Sequence, residues 1–214
     1  MRTSPATIII PVKQSAIGKS RLRSAGAVTD HLVRAIALDT IAAVRAAGVL
    51  VLVVTDDQDI GASAGDLGAT ILADPPGAGL NAAIRHGEAS IGLRHDRVAL
   101  AADLPALRPE ELAAALAAAP ASGRAFVADH HGIGTTLLWA PAGVPLGPLF
   151  GGESALAHAE SGAQPLAGDW PSLRLDVDTT SDLAAAAAVG LGPRTRQAAA
   201  RDHIVISDNS VTTP

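Results

Sequence analysis

Short apolar runs alternate with amphipathic or alanine-rich stretches along almost the whole chain, and this alternation restricts the fold more than any other feature. Residues 6–12, 49–55, Thr70–Ala73 and 97–101 read as buried strands. Between them lie helical patterns. Leu32, Val33, Ile36, Ile41 and Val44 share one face of a helix capped at Thr29 or Asp30 and ended by Gly48. Residues 59–67 and 80–93 read as two more helices, the latter weakened by Gly87. Strand–helix repetition of this kind is the mark of an α/β protein. Pro109 opens a helix over 110–119. Ala125–Ala128 and Thr135–Ala140 are strands around a glycine-rich turn, 153–161 a short helix, 173–177 a last strand and 181–189 the last clear helix. Hydrophobic residues make up 48% of the chain but aromatics only 2%, so the core is built from Ala, Val, Leu and Ile. That favours a sheet covered by helices over an aromatic-rich sandwich. The 214 residues fit one domain over 1–201, with the polar residues 202–214 expected to form a mobile tail.

Only two lysines occur, Lys13 and Lys19, and both fall in the loop after the first strand, followed by Arg21. A lysine ammonium is a compact point charge on a flexible stem, well suited to phosphate oxygens. Nucleotide-binding α/β folds place phosphates at this end of a strand. The ordinary alternative is a solvated basic loop. The glycines of a P-loop or of a G-x-G-x-x-G turn are missing, which argues against a P-loop kinase or a dehydrogenase. The lack of cysteine excludes disulfides, zinc–thiolate sites and a cysteine nucleophile. A formal charge of -5 argues against a nucleic-acid surface. No apolar run reaches the ~20 residues of a membrane span. Arg2 leads directly into a strand rather than a signal peptide, so a soluble cytoplasmic protein is expected.

Carboxylates supply the second half of a site. Asp103 follows an apolar strand and precedes Leu104-Pro105. It suits Mg²⁺, which takes one or two protein carboxylates plus substrate phosphates, and it equally suits a turn. Asp176 and Asp178 share a face if the chain is extended there, and a divalent cation would relieve their repulsion. Alternatively Asp178 is a turn residue, ahead of a helix capped by Thr180 or Ser181 and favoured by Asp182. Gly134 would let the backbone approach a ligand closely, and Thr135 offers a hydroxyl. Gly151, Gly152, Glu153 and Ser154 lead into a helix whose free N–H groups favour an anion, or simply cap it. Asn81, after Gly77 and Gly79, offers a hydrogen bond to a ribose or base, or a helix start. His130 and His131 fall in a turn and receive no role.

Taken in order, Pro11-Val12-Lys13, Lys19-Ser20-Arg21-Leu22, Ala102-Asp103-Leu104-Pro105 and Asp176-Val177-Asp178-Thr179 resemble the guanylyltransferases of coenzyme F420 biosynthesis. Phe126-Val127-Ala128-Asp129, Gly134-Thr135, Phe150-Gly151 and Asp169-Trp170-Pro171 extend the likeness over about residues 8–200. The particular likeness is to the actinobacterial phosphoenolpyruvate branch, whose relatives use 2-phospho-L-lactate. The resemblance implies a nucleotidyltransferase fold of the glycosyltransferase-A type, with a mixed, mostly parallel sheet between helices. It implies Mg²⁺ on Asp103 and Asp176, with Asp178 as a third ligand, and phosphoenolpyruvate on Thr135, Gly151 and Ser154. Lys13, Lys19 and Arg21 would then neutralise the triphosphate of GTP, with Lys13, Lys19 and Asn81 holding the nucleotide. The partners implied are GTP, a small phosphorylated carboxylic acid and the next enzyme of the pathway. The same chemistry with 2-phospho-L-lactate or 3-phosphoglycerate as acceptor, another nucleotidyltransferase, a glycosyltransferase and an inactive nucleotide-binding regulatory module are the other readings. One departure from the family is Ala102, where glycine is usual.

Overall fold

The structure, a computed structural model, describes residues 6–13, 29–74 and 79–204. Lys19, Arg21 and residues 205–214 of the expected tail lie outside the described residues. The described elements are β1 (Thr7–Pro11), α1 (Asp30–Ala46), β2 (Leu50–Thr55), α2 (Gln58–Asp66), β3 (Thr70–Ala73) and α3 (Gly79–Ile91). They continue as β4 (Arg97–Leu100), α4 (Pro109–Ala118), β5 (Ala125–Ala128), β6 (Thr135–Ala140), α5 (Ser154–Glu160) and β7 (Gln164–Pro165). The last three are α6 (Pro171–Arg174), α7 (Thr180–Val189) and α8 (Pro193–Arg201).

The strands form one sheet in the order β3-β2-β1-β4-β6-β5-β7. β1 runs parallel to β2 and β4, β2 to β3, and β5 to β7. β6 runs antiparallel to both its neighbours, β4 and β5. The mixed, mostly parallel sheet expected from the sequence is therefore present. Its buried strands work by simple alternation, since successive side chains point to opposite faces. Ile8 and Ile10 pack with Ile41 and Val44 of α1, Ile60 of α2 and Leu112 of α4. Ile9, between them, packs on the other face with Ala83 and Ile84 of α3 and Ala155 of α5. All three isoleucines are fully buried, as a sheet covered on both faces requires. Gly87, expected to weaken α3, has a packing reason. A Cβ there would stand 2.7 Å from Ile9 Cγ2 and 3.1 Å from Val54 Cγ2.

A third layer lies outside α1. Leu32, Ala35 and Ile36 pack against Leu183 and Ala186 of α7 and Ala198 and Ala199 of α8. α8 is not among the helices read from the sequence. Its run Pro-Arg-Thr-Arg-Gln-Ala-Ala-Ala-Arg buries only Thr195, Ala198 and Ala199, which is a faint apolar stripe. It is held from outside instead. Buried Asp39 of α1 accepts the N–H groups of Thr195 (2.7 Å) and Arg194 (3.3 Å), capping α8 across the chain.

Residues 173–177 correct the sequence reading, for they are not a strand. Pro171 follows buried Trp170 and opens the single turn α6. β4 is already flanked by β1 and β6, so no sheet edge is open beside it. Val177 N–H makes a hydrogen bond to Asp103 O at 3.0 Å in place of a ladder. The side-chain alternation nevertheless survives. Leu175 and Val177 are buried in the third layer, while Asp176 and Asp178 both face the cleft described below. Thr179, rather than Thr180 or Ser181, caps α7, in a reciprocal box with Asp182.

Candidate active site

A cleft of about 760 Å³ opens where β1 and β4 end and β6 begins. Antiparallel β6 is what completes it, because reversing that strand brings its first residue, Thr135, to the edge where the parallel strands deliver their last. Lys13, Asp103, Asp129, Thr135, Gly151, Ser154, Asp176 and Asp178 all line this one space. The structure thus brings together every described residue that the sequence reading assigned to the site except Asn81.

Asp103 is placed by a residue that the sequence reading missed. The hydroxyl of Thr40, fully buried in α1, accepts the N–H of Leu104 (3.1 Å) and lies within donor reach of Ala102 O (3.1 Å) and Ile36 O (3.0 Å). A hydroxyl that satisfies both sides of Asp103 fixes the turn after β4. Across from it, the Asp182 carboxylate accepts the N–H groups of Asp178 (3.1 Å) and Thr179 (2.8 Å). That anchors the far end of the 176–178 segment. Burial, and then the charges of Asp103, Asp178 and Asp129, push the Asp176 carboxyl up to about 8. Burial is the larger cause, and the crowding of carboxylates adds to it.

Two further members received no role in the sequence reading, although Asp129 stands in a segment that carries the family likeness. Asp129, at the end of β5, accepts the N–H groups of Gly134 (2.7 Å) and Ile133 (2.9 Å). A Cβ at Gly134 would stand 2.5 Å from Asp129 Oδ2. The glycine therefore serves the close approach of Asp129. His130, given no role from sequence, bridges two acids, with Nδ1 3.5 Å from Asp176 Oδ1 and Nε2 3.6 Å from Asp182 Oδ1. Both side chains act on neighbours distant in sequence or in a turn, and no local pattern announces them.

The remaining walls carry opposite polarity. Lys13 Nζ pairs with the buried Asp74 at 2.7 Å, which holds its ammonium at one wall. At the other wall Ser154 is buried and Gly151 takes a φ of 108°, a backbone that side chains disfavour. Asn81, expected at the nucleotide, lies outside the residues that line the cleft. Its Nδ2 donates to Phe150 O (2.9 Å) and its Oδ1 accepts Phe150 N–H (2.8 Å), so it ties α3 to the loop carrying Gly151.

Among solved structures, a nucleotidyl transferase from Methanothermobacter thermautotrophicus superposes with a TM-score of 0.60 at 20% identity, covering 84% of this chain and 94% of its own. A Mycobacterium tuberculosis protein in complex with manganese gives a TM-score of 0.53 at 21% identity, covering 86% of this chain and 97% of its own. The sheet order and this likeness define the fold as that of a nucleotidyltransferase. In sequence, residues 6–198 match the family described as guanylyl transferase CofC like. A relative in Salinispora arenicola, named phosphoenolpyruvate guanylyltransferase, is 55% identical over 195 residues, covering 88% of this chain and 91% of its own. The chain belongs to the CofC-like guanylyl transferase family, and it is an enzyme of the nucleotidyltransferase class.

Proposed function

We propose that the protein transfers GMP from GTP to phosphoenolpyruvate, giving enolpyruvyl-2-diphospho-5'-guanosine and pyrophosphate, as a step of coenzyme F420 biosynthesis. The observation that carries this reading is one cleft lined both by Asp103, Asp176 and Asp178 and by Thr135, Gly151 and Ser154. The 55% identity to a relative named for this reaction supports it.

A phosphate oxygen of phosphoenolpyruvate attacks the α-phosphorus of GTP. The bond from that phosphorus to the bridging oxygen breaks, and pyrophosphate leaves with the electron pair. The attacking oxygen is already anionic, so no strong base is needed. The obstacle is repulsion between two polyanions, and the residues of the cleft answer it by position and charge. Asp103, Asp176 and Asp178 would hold Mg²⁺, a hard cation that suits an all-oxygen set, and the raised pKa of Asp176 fits a site built for a counter-charge. When bound, such a cation supplies positive charge to the reacting phosphates. Lys13, with Lys19 and Arg21, would take the β- and γ-phosphates. Thr135, Gly151 and Ser154 would hold the phospho-acid, and product would pass to the following enzyme.

The test is pyrophosphate release from GTP and Mg²⁺ with phosphoenolpyruvate, 2-phospho-L-lactate or 3-phosphoglycerate supplied separately. Release should be fastest with phosphoenolpyruvate. A faster rate with either of the others reassigns the acceptor, and no release with any of them rejects the reading.

A further inference from the structure

We infer that His158 is a positioning residue that makes Thr135 a hydrogen-bond donor into the cleft, so that this point accepts an anionic oxygen and rejects a donor group. The inference rests on the reading of this wall as the phospho-acid site. His158, on α5, is fully buried and does not line the cleft. Its Nε2 lies 3.0 Å from the backbone nitrogen of Leu149. A peptide N–H can only donate, so Nε2 must present its lone pair. Burial, and then the nearby Arg124 charge, lower the ring's pKa to about 4, so the imidazole is neutral in ordinary buffers. A neutral ring that accepts at Nε2 carries its one proton at Nδ1.

Nδ1 lies 2.9 Å from Thr135 Oγ1. Because Nδ1 already holds a proton, which the Ser154 backbone also draws on, Thr135 cannot donate to it and can only accept. No other described residue takes the Thr135 hydroxyl proton in a hydrogen bond, and Thr135 lines the cleft. The hydroxyl proton is therefore left for a ligand. The ring cannot easily swing away from this duty. Phe150 meets it edge-on with ring centroids 5.1 Å apart, and Phe126 lies 6.0 Å away. One imidazole thus joins the start of β6 to the loop before Gly151 and sets the polarity of the hydroxyl between them.

Two measurements test this. Nitrogen-15 NMR of histidine-labelled protein at pH 7 should show His158 as the Nδ1–H tautomer, whether or not the enzyme turns over. An Nε2–H tautomer, or a doubly protonated ring, overturns the inference. The second is steady-state pyrophosphate release, with KM for phosphoenolpyruvate, KM for GTP and kcat measured separately. His158→Asn keeps a donor at the Nδ1 position, whereas His158→Gln keeps only the acceptor for Leu149. His158→Gln and Thr135→Val should raise KM for phosphoenolpyruvate by about 10-fold or more, as loss of one hydrogen bond to a charged group implies, with KM for GTP changed much less. His158→Asn should recover most of that loss. An unchanged KM for phosphoenolpyruvate in both His158→Gln and Thr135→Val overturns the inference, as does an equal rise for GTP. Wild-type protein inactive with every acceptor would reject the proposed function instead, and the tautomer would then decide the role of His158 alone.

Discussion

Burial, and then the neighbouring charges of Asp103, Asp178 and Asp129, oppose the ionisation of Asp176 in the folded chain, and its pKa rises from 3.8 to about 8. As pH climbs from about 4 to about 8, the unfolded chain gives up this proton while the folded chain keeps it. The contribution of this group to stability therefore falls as pH rises through that window. Asp176→Asn should flatten the fall and raise the melting temperature of the metal-free protein at pH 8, by about 2–4 °C for each kcal/mol of repulsion relieved. Magnesium should raise the melting temperature of the wild type and leave that of the variant unchanged. Turnover of Asp176→Asn and of Asp103→Ala should drop by orders of magnitude with the fold retained, and near-normal rates in both would refute the metal assignment. At this scale the sequence made Asp103, Asp176 and Asp178 legible, because a strand end and a two-residue spacing are local patterns. The roles of Thr40, Asp129, His130 and His158 were not legible. Each acts through a partner that only folding brings near, or through a hydrogen bond to the backbone.

Among the elements, α3 sets two rules against each other. A glycine inside a helix normally costs up to about 1 kcal/mol relative to alanine, which predicts a stabilising Gly87→Ala. The sheet predicts the opposite, for the new methyl would meet the stiff, buried side chains of Ile9 and Val54. Overpacking of this kind costs about 1–3 kcal/mol, so the net effect should be destabilising. Urea denaturation of Gly87→Ala decides it, and a higher midpoint would mean that the helix lifts from the sheet without loss. Most element positions could be read from apolar period alone. The failure at 173–177 has a physical cause. Alternating apolar residues also suit an irregular segment laid between a cleft and a packed layer, and only the count of sheet edges tells the two apart. α8 was missed because a helix of arginines and alanines docks through the Asp39 cap as much as through its own apolar stripe.

For the molecule as a whole, the outer layer bears on the cleft through α1. The same helix packs Leu32, Ala35 and Ile36 against α7 and α8 and contributes Val33, Ile36 and Ala37 to the cleft wall. Ending the chain after Gly192 would strip the cover from Leu32 and Ala35 and remove the partners of Asp39. That truncation should lower the melting temperature by about 10 °C or more and abolish turnover. Ending it after residue 204, beyond the family match that closes at 198, should change neither. Loss of activity in the chain ended after residue 204 would show that the terminal residues take part in catalysis.

The backbone hydrogen bond from Val177 to Asp103 closes a loop of more than seventy residues and draws mutually repelling acids together. Such a contact has little to favour it until the apolar residues on either side, Leu175 and Val177, have found their layer. The expected order of assembly then runs from sheet to outer helices to acidic centre. A bound divalent cation would accordingly act on the last step, slowing the rate at which the finished protein opens while leaving the rate of folding almost untouched.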